Sequence, residues 1–177
     1  TRWITSAPHL FDTIEQLITR REWDWLLTLH PKSDPAIVAR YSALAERYPN
    51  VRFANNDDTM ALLRQADAMV CDSSSIIVEF MMLDKPVVTF RNTAPGPHLI
   101  DIDRAEKLEQ AIETALSRPP ALMEAIDLYC QTMDPHRDGR SAERVVEAVE
   151  WFLTNWKGKL PRKPLNLFRK YKMITTI

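Results

Sequence analysis

Short apolar segments alternate with longer stretches of helical period along most of this chain, and few folds accept that alternation. "WDWLLTLHP", "VRFAN", "DAMVCD" and "PVVTF" are brief and apolar without a polar–apolar repeat. Between them, "LFDTIEQLITRR", "SDPAIVARYSALAERYP", "DDTMALLRQA" and "SSIIVEFMMLD" place apolar residues three and four apart. With "RWITSAP" as a β-like opening, the predicted order is βαβαβαβαβ, followed by the helices "IDRAEKLEQAIETALSR", "PALMEAIDLYCQTM" and "DGRSAERVVEAVEWFLTNW", the last capped by Ser141. Strands that are apolar on both sides and separated by helices form a parallel sheet covered on both faces. The expected fold class is therefore α/β, Rossmann-like.

Length and composition agree. A chain of 177 residues suffices for one α/β domain that buries about 70% of its unfolded surface. Charged residues at 27% and apolar ones at 45% are ordinary for a globular domain. A net charge of −1 gives no reason to expect nucleic acid. No run of 18 apolar residues is present, and "TRWITSAPHL" has no signal-peptide pattern. The start without Met reads as a fragment. Cys71 and Cys130 are too few for a disulfide framework and lack metal-ligand spacing, so no metal is expected and a reducing, cytoplasmic setting is the default. With only Gly96, Gly139 and Gly158, the glycine-rich dinucleotide fingerprint is missing. No cofactor is implied.

Charge divides the chain. From Asn155 onward there are seven basic residues and no acidic one, which leaves the first 154 residues with 16 basic against 24 acidic, a net of −8. The expected organisation is an α/β domain over 1–154 and a basic, aromatic tail over 155–177.

The candidate site is "CDSSSII". Asp72 ends a strand, and Ser73, Ser74 and Ser75 open the next helix. Ligands of doubly wound sheets bind beyond the carboxyl ends of the strands. A helix start there offers unpaired N–H groups and the positive end of the dipole, both favourable to phosphate. One serine can be a plain helix cap; three exceed what a cap requires. His30, after "WLLTL", falls at the same kind of strand end, where a lone histidine is commonly structural. Arg91 follows "PVVTF", with phosphate or Asp72 as its alternative partners. Glu79, one turn into the helix, has a ribose hydroxyl or plain solvent as alternatives. Asp138 reads as a helix cap, and Met81, Met82 and Met123 as core.

Together these stretches resemble the C-terminal half of a GT-B-type transferase. The family of nearest likeness is the CDP-glycerol glycerophosphotransferases of teichoic acid and capsule synthesis. That family carries a His-Pro after a strand, an Asp-Tyr-Ser-Ser turn, an acidic residue in the following helix and a "DKP" before the next strand. Here these correspond to His30-Pro31, Asp72 to Ser75 with Ser73 in place of Tyr, Glu79, and Asp84-Lys85-Pro86. The non-hydrolysing UDP-N-acetylglucosamine 2-epimerases are similar over the same stretch, but their turn is Ser-Gly-Gly, and their "TERPE" is absent from "RNTAPGP". The resemblance implies a donor-binding domain of a longer enzyme, inactive without an N-terminal acceptor-binding half. Its substrate would be CDP-glycerol or a similar donor, with Ser74 and Ser75 holding the diphosphate, His30 stabilising the transferring phosphate, and Asp72, Ser73, Glu79 and Arg91 completing the site. A UDP-sugar glycosyltransferase and a non-enzymatic nucleotide-sugar-binding module stand as alternatives. The tail would pack on the absent half or lie on an anionic membrane at the inner face of the cell.

Overall fold

The computed structural model describes residues 5–54, 59–156 and 166. By contact the chain divides into Thr1–Pro135 and His136–Ile177, whereas composition sets its boundary after residue 154.

Among the described residues, the first unit is an α/β arrangement of five parallel strands and six helices. Helix α1 (Ala7–Arg20) is followed by strand β1 (Trp25–Leu27), helix α2 (Pro35–Arg47), strand β2 (Val51–Phe53), helix α3 (Thr59–Gln65), strand β3 (Met69–Cys71), helix α4 (Ile76–Met81), strands β4 (Val87–Phe90) and β5 (Ile100–Ile102), a 3-10 turn (Ala105–Lys107), helix α5 (Leu108–Leu116) and helix α6 (Pro120–Met133). All pairings are parallel: β1 with β2 in one sheet, and β3-β4-β5 in a second. The Rossmann-like class expected from the alternation is therefore the one observed, with the hydrogen-bonded ladder in two pieces.

Strand β4 shows why the pattern forces this arrangement. All four of its residues are buried, and successive side chains leave a strand on opposite faces. Val88 and Phe90 join one core with Leu10, Phe11, Ile14 and Leu17 of α1, Leu44 of α2, and Leu108, Ile112 and Ala115 of α5. Val87 joins the other, with Leu63 of α3, Phe80 and Met81 of α4, and Leu122, Ile126 and Cys130 of α6. The first core also takes Leu27 and Val51, so it runs under both sheets.

Several expectations are corrected here. Arg2 to Ile4 of the β-like opening lie outside the described residues; from Ala7 the segment is already helical, with Pro8 in the first turn, where proline costs nothing. The strand expected over 23–31 is ordered in a ladder only at Trp25–Leu27, the length that the short β2 can pair. Asp57 and Asp58, expected to begin a helix, lie outside the described residues. Ile102, expected to open the helix "IDRAEKLEQAIETALSR", is instead the last residue of the edge strand β5 beside β4.

The second unit contains helix α7 (Ser141–Asn155). Its cap differs from expectation. Arg140 holds the N-cap position and Ser141 lies inside the helix. Asp138 accepts the Arg140 amide at 3.0 Å and pairs with Arg144 at 2.5 Å, so these two partners hold its carboxyl below the usual carboxylate range. Val145, Val146, Val149, Phe152 and Leu153 are exposed. Of the basic tail, 155–177, only Asn155, Trp156 and Asn166 lie among the described residues. Among the described residues, no helix is long and apolar enough to cross a membrane.

Candidate functional site

Carboxyl ends of both sheets meet one edge of the first unit, and α1 is the gauge. At its start, the Ser6 amide donates to Asp72 Oδ2 at 3.0 Å, just past β3. Near its end, the Ile18 carbonyl accepts from Asn50 Nδ2 at 3.2 Å, and the Asn50 carbonyl accepts the Trp25 amide at 2.8 Å. Those contacts are at the amino ends of β1 and β2. A helix of 14 residues spans about 21 Å, so β1 and β3 both run antiparallel to α1. The loop after β1, with His30, and the turn after β3, with Ser74, therefore leave the same edge.

Within the turn, the four small polar residues divide. Asp72 is spent on α1: it takes the Ser6 amide and, at 3.4 Å, the Ser6 hydroxyl. A carboxylate at a helix N-terminus also offsets the dipole. Ser73 Oγ accepts from the Thr93 amide at 2.9 Å and lies 3.2 Å from Thr93 Oγ1. Where the transferase family has Tyr, Ser73 thus ties the turn to the β4–β5 loop. Ser74 and Ser75 are exposed. Their carbonyls accept from Ile77 and Val78, yet Ser75, at the N-cap of α4, makes no side-chain cap. Among the described residues, neither hydroxyl has a hydrogen-bond partner, and the Ser74 and Ser75 amides meet no acceptor. These are the donors that a phosphate needs.

The other predicted residues are placed as follows. His30 is exposed, three residues beyond β1; its Nδ1 accepts the Lys32 amide at 3.0 Å and its carbonyl the Ser33 amide at 2.8 Å. Glu79 is exposed on α4. Arg91 does not bridge to Asp72, the alternative raised from sequence. Its Nε donates to the Asp103 carbonyl at 2.9 Å and its guanidinium lies 4.9 Å from the Phe90 ring centre. Its φ of 50° is in the left-handed region, uncommon for a residue with a side chain.

"DKP" is structural. Asp84, with a φ of 57°, closes α4 in the left-handed region. Lys85 Nζ donates to the carbonyls of Leu63, Arg64 and Ala66 at 3.0, 2.7 and 2.6 Å. Those are orphan acceptors at the C-terminus of α3, where a cation also suits the dipole. Beside the turn, burial, and then the Asp72 charge, push the Cys71 thiol up to about 12, which disfavours the reactive thiolate.

Sequence reasoning missed Ser6, Thr93 and Asp101. Asp101 Oδ1 accepts from Thr89 Oγ1 at 2.7 Å and from the Asn92 amide at 2.9 Å. Ser6 carries a legible signal, a serine just before Ala-Pro at a helix start; Thr93 and Asp101 carry none, because their roles depend on a neighbouring strand. Among the described residues, no cluster of three or more His, Cys, Asp or Glu could hold a metal ion.

Parallel strands, helices on both faces and a donor-rich turn at the carboxyl edge define a Rossmann-like α/β domain of the nucleotide-binding type. Comparison with known proteins agrees. Residues 5–150 match the UDP-N-acetylglucosamine 2-epimerase family, and the chain belongs to that family. It is also 30% identical over 115 residues to a teichoic acid ribitol-phosphate primase of Bacillus spizizenii. That match covers 55% of this chain and 27% of the relative, so the matched stretch spans about a quarter of that protein's length.

Proposed function

We propose that this chain is the donor-nucleotide-binding domain of a transferase. The enzyme would move glycerol phosphate, or another polyol or sugar phosphate, from a CDP-activated donor to a cell-surface polymer. The observation that carries the reading is the unspent pair Ser74 and Ser75. Two hydroxyls and their amides lie in the turn just past β3 and, among the described residues, have no hydrogen-bond partner. A diphosphate seated there takes charge-assisted hydrogen bonds, which are about twice as strong as neutral ones. Catalysis is then positioning plus stabilisation of charge on the phosphoryl oxygens. The acceptor hydroxyl attacks the β-phosphorus, the bond from that phosphorus to the bridging oxygen breaks, and CMP leaves. His30 hydrogen-bonds the transferring phosphate, Arg91 faces it from the end of β4, and Glu79 reaches the ribose. The likeness to a ribitol-phosphate primase favours this reading over epimerisation, and so does Ser-Ser-Ser in place of Ser-Gly-Gly.

A second reading, an epimerase-like or UDP-sugar-binding domain, draws on the family match itself. Calorimetric titration with CDP-glycerol, CDP, UDP and UDP-N-acetylglucosamine separates the two. Preference for the cytidine ligands supports the transferase. Preference for the uridine ligands replaces it with the second reading, and no binding of any of the four removes both.

The tail carries a proposal of its own. Seven basic residues interleaved with Trp156, Phe168 and Tyr171 fit an anionic bilayer surface, where each Lys or Arg contributes about 1 kcal/mol. Co-sedimentation with phosphatidylserine vesicles should succeed at low salt and weaken as salt screens the charges. Vesicle binding that survives removal of residues 155–177 would assign the tail to packing instead.

A further inference from the structure

We infer that the β4–β5 loop, residues 91–99, is a brace that sets the position of the Asp72–Ser75 turn, with Asp101 and His98 as the positioning residues that anchor its two ends. The inference rests on the reading of that turn as a diphosphate site.

The near end of the loop is held by Asp101. One carboxylate oxygen takes both the Asn92 amide and the Thr89 hydroxyl, and Thr89 is fully buried in β4. Asn92 in turn accepts the Ala94 amide at 2.8 Å, so residues 92–94 form a fixed turn. Thr93 sits in the middle of it and is the residue that reaches Ser73, through its amide and its hydroxyl. The far end is held by His98. Its ring stacks on Tyr129 of α6, with centres 3.8 Å apart and planes 12° from parallel. The ring also folds over Gly96: a Cβ there would lie 2.6 Å from His98 Cε1, closer than packed atoms approach. Position 96 therefore has to be glycine while the ring is stacked. Partial burial lowers the imidazole's affinity for a proton, which favours the neutral ring in the stack.

Consider what the brace does for the turn. Ser74 and Ser75 follow Ser73 directly, and α4 has only six residues to hold them. Asp72 is anchored from one side by Ser6, and Ser73 from the other by Thr93. Loss of the second anchor lets the backbone of Ser74 and Ser75 swing, and misaligned donors bind an anion less well.

The test measures the unliganded protein first, then nucleotide. In amide NMR spectra, His98→Ala and Asp101→Ala should shift or broaden the Ser73 and Thr93 resonances while the β3 and β4 amides stay in place. His98→Phe, which can stack, and Asp101→Asn, which keeps an acceptor oxygen, should restore them. Gly96→Ala should reproduce the His98→Ala spectrum by displacing the ring, and serves if His98→Ala does not fold. In titrations with CDP and UDP, the alanine variants should bind about tenfold more weakly, the scale of one misplaced hydrogen bond to a charged group. Against a Ser73→Ala background that loss should vanish, because the brace acts through Ser73. Unchanged Ser73 and Thr93 resonances overturn the inference whatever the nucleotides do, and so do losses that add to that of Ser73→Ala. If the wild-type chain binds neither nucleotide, the proposed function falls while the spectra still decide the brace.

Discussion

Lys85 and Ser75 stand just outside opposite ends of α4, and their polar groups are used in opposite ways. Lys85 is consumed by the fold: its ammonium takes three carbonyls at the end of α3, and its backbone leads into a strand with no exposed residue. Ser75 contributes a carbonyl to the helix, while its hydroxyl has no partner among the described residues. Both residues belong to motifs that the sequence presents on equal terms. The difference teaches how to sort such motifs. A polar group that the fold has already satisfied is scaffold, and one whose donors point at the carboxyl edge unspent is available to a ligand. The Asp72–Ser75 turn holds both kinds side by side, with Asp72 and Ser73 engaged and Ser74 and Ser75 open.

Substitutions should break the scaffold side hardest. Phe80 is fully buried in one core with Met81, Val87 and Ile126, so Phe80→Ala should cost about 3–5 kcal/mol through lost transfer energy and a cavity. Urea unfolding measures it; a loss below 1 kcal/mol would mean that α4 is not part of the core. Next comes Lys85→Met, which keeps the stem but strips three carbonyls of their donor, for an expected loss of about 1–3 kcal/mol. An unchanged midpoint would show that Lys85 does not cap α3.

The two halves of the turn give a smaller and more discriminating contrast. Ser73→Ala removes the acceptor of the Thr93 amide and should lower stability by about 1 kcal/mol. The Ser74→Ala, Ser75→Ala double variant should change stability by less than about 0.5 kcal/mol, as exposed residues without partners do. Its affinity for CDP should nevertheless fall at least about tenfold. If instead the double variant is the less stable protein and binds CDP normally, the two halves have been assigned the wrong way round.

The smallest effect is a pH dependence with two windows. Burial holds the folded His98 imidazole below its ordinary value of 6.5, so the unfolded chain takes up that proton more readily. Stability from this residue is whole above about 6.5 and is lost as pH falls below it. Glu109 behaves as a carboxylate depressed first by its hydrogen bond to Arg21, so it adds a second loss as pH falls below its ordinary value of 4.5. Melts across this range should show both, the first absent in His98→Phe and the second kept. Both groups are only partly buried, which keeps the effects small. A first window that persists in His98→Phe would show that another group produces it.

Much of this protein was legible in the chain itself. Short apolar strands between amphipathic helices determine a parallel, two-sided α/β unit, because nothing else buries β4 on both faces and α1, α5 and α6 on one. The strand–serines–helix order likewise marks the carboxyl edge, since chain direction in a βαβ unit decides where each turn lies. Tertiary structure decided the rest. The segment "IDI" is a strand only because β4 offers it a ladder. Asp72 is tied to α1 only because folding brings position 6 beside position 72. Thr93 becomes part of the turn from twenty residues away, and Lys85 is a helix cap only because α3 ends beside it. Periodicity and turn chemistry are local and can be read from neighbours in the chain. A hydrogen-bond partner is chosen by proximity in space, and only the folded protein determines which of four adjacent polar residues has one to spare.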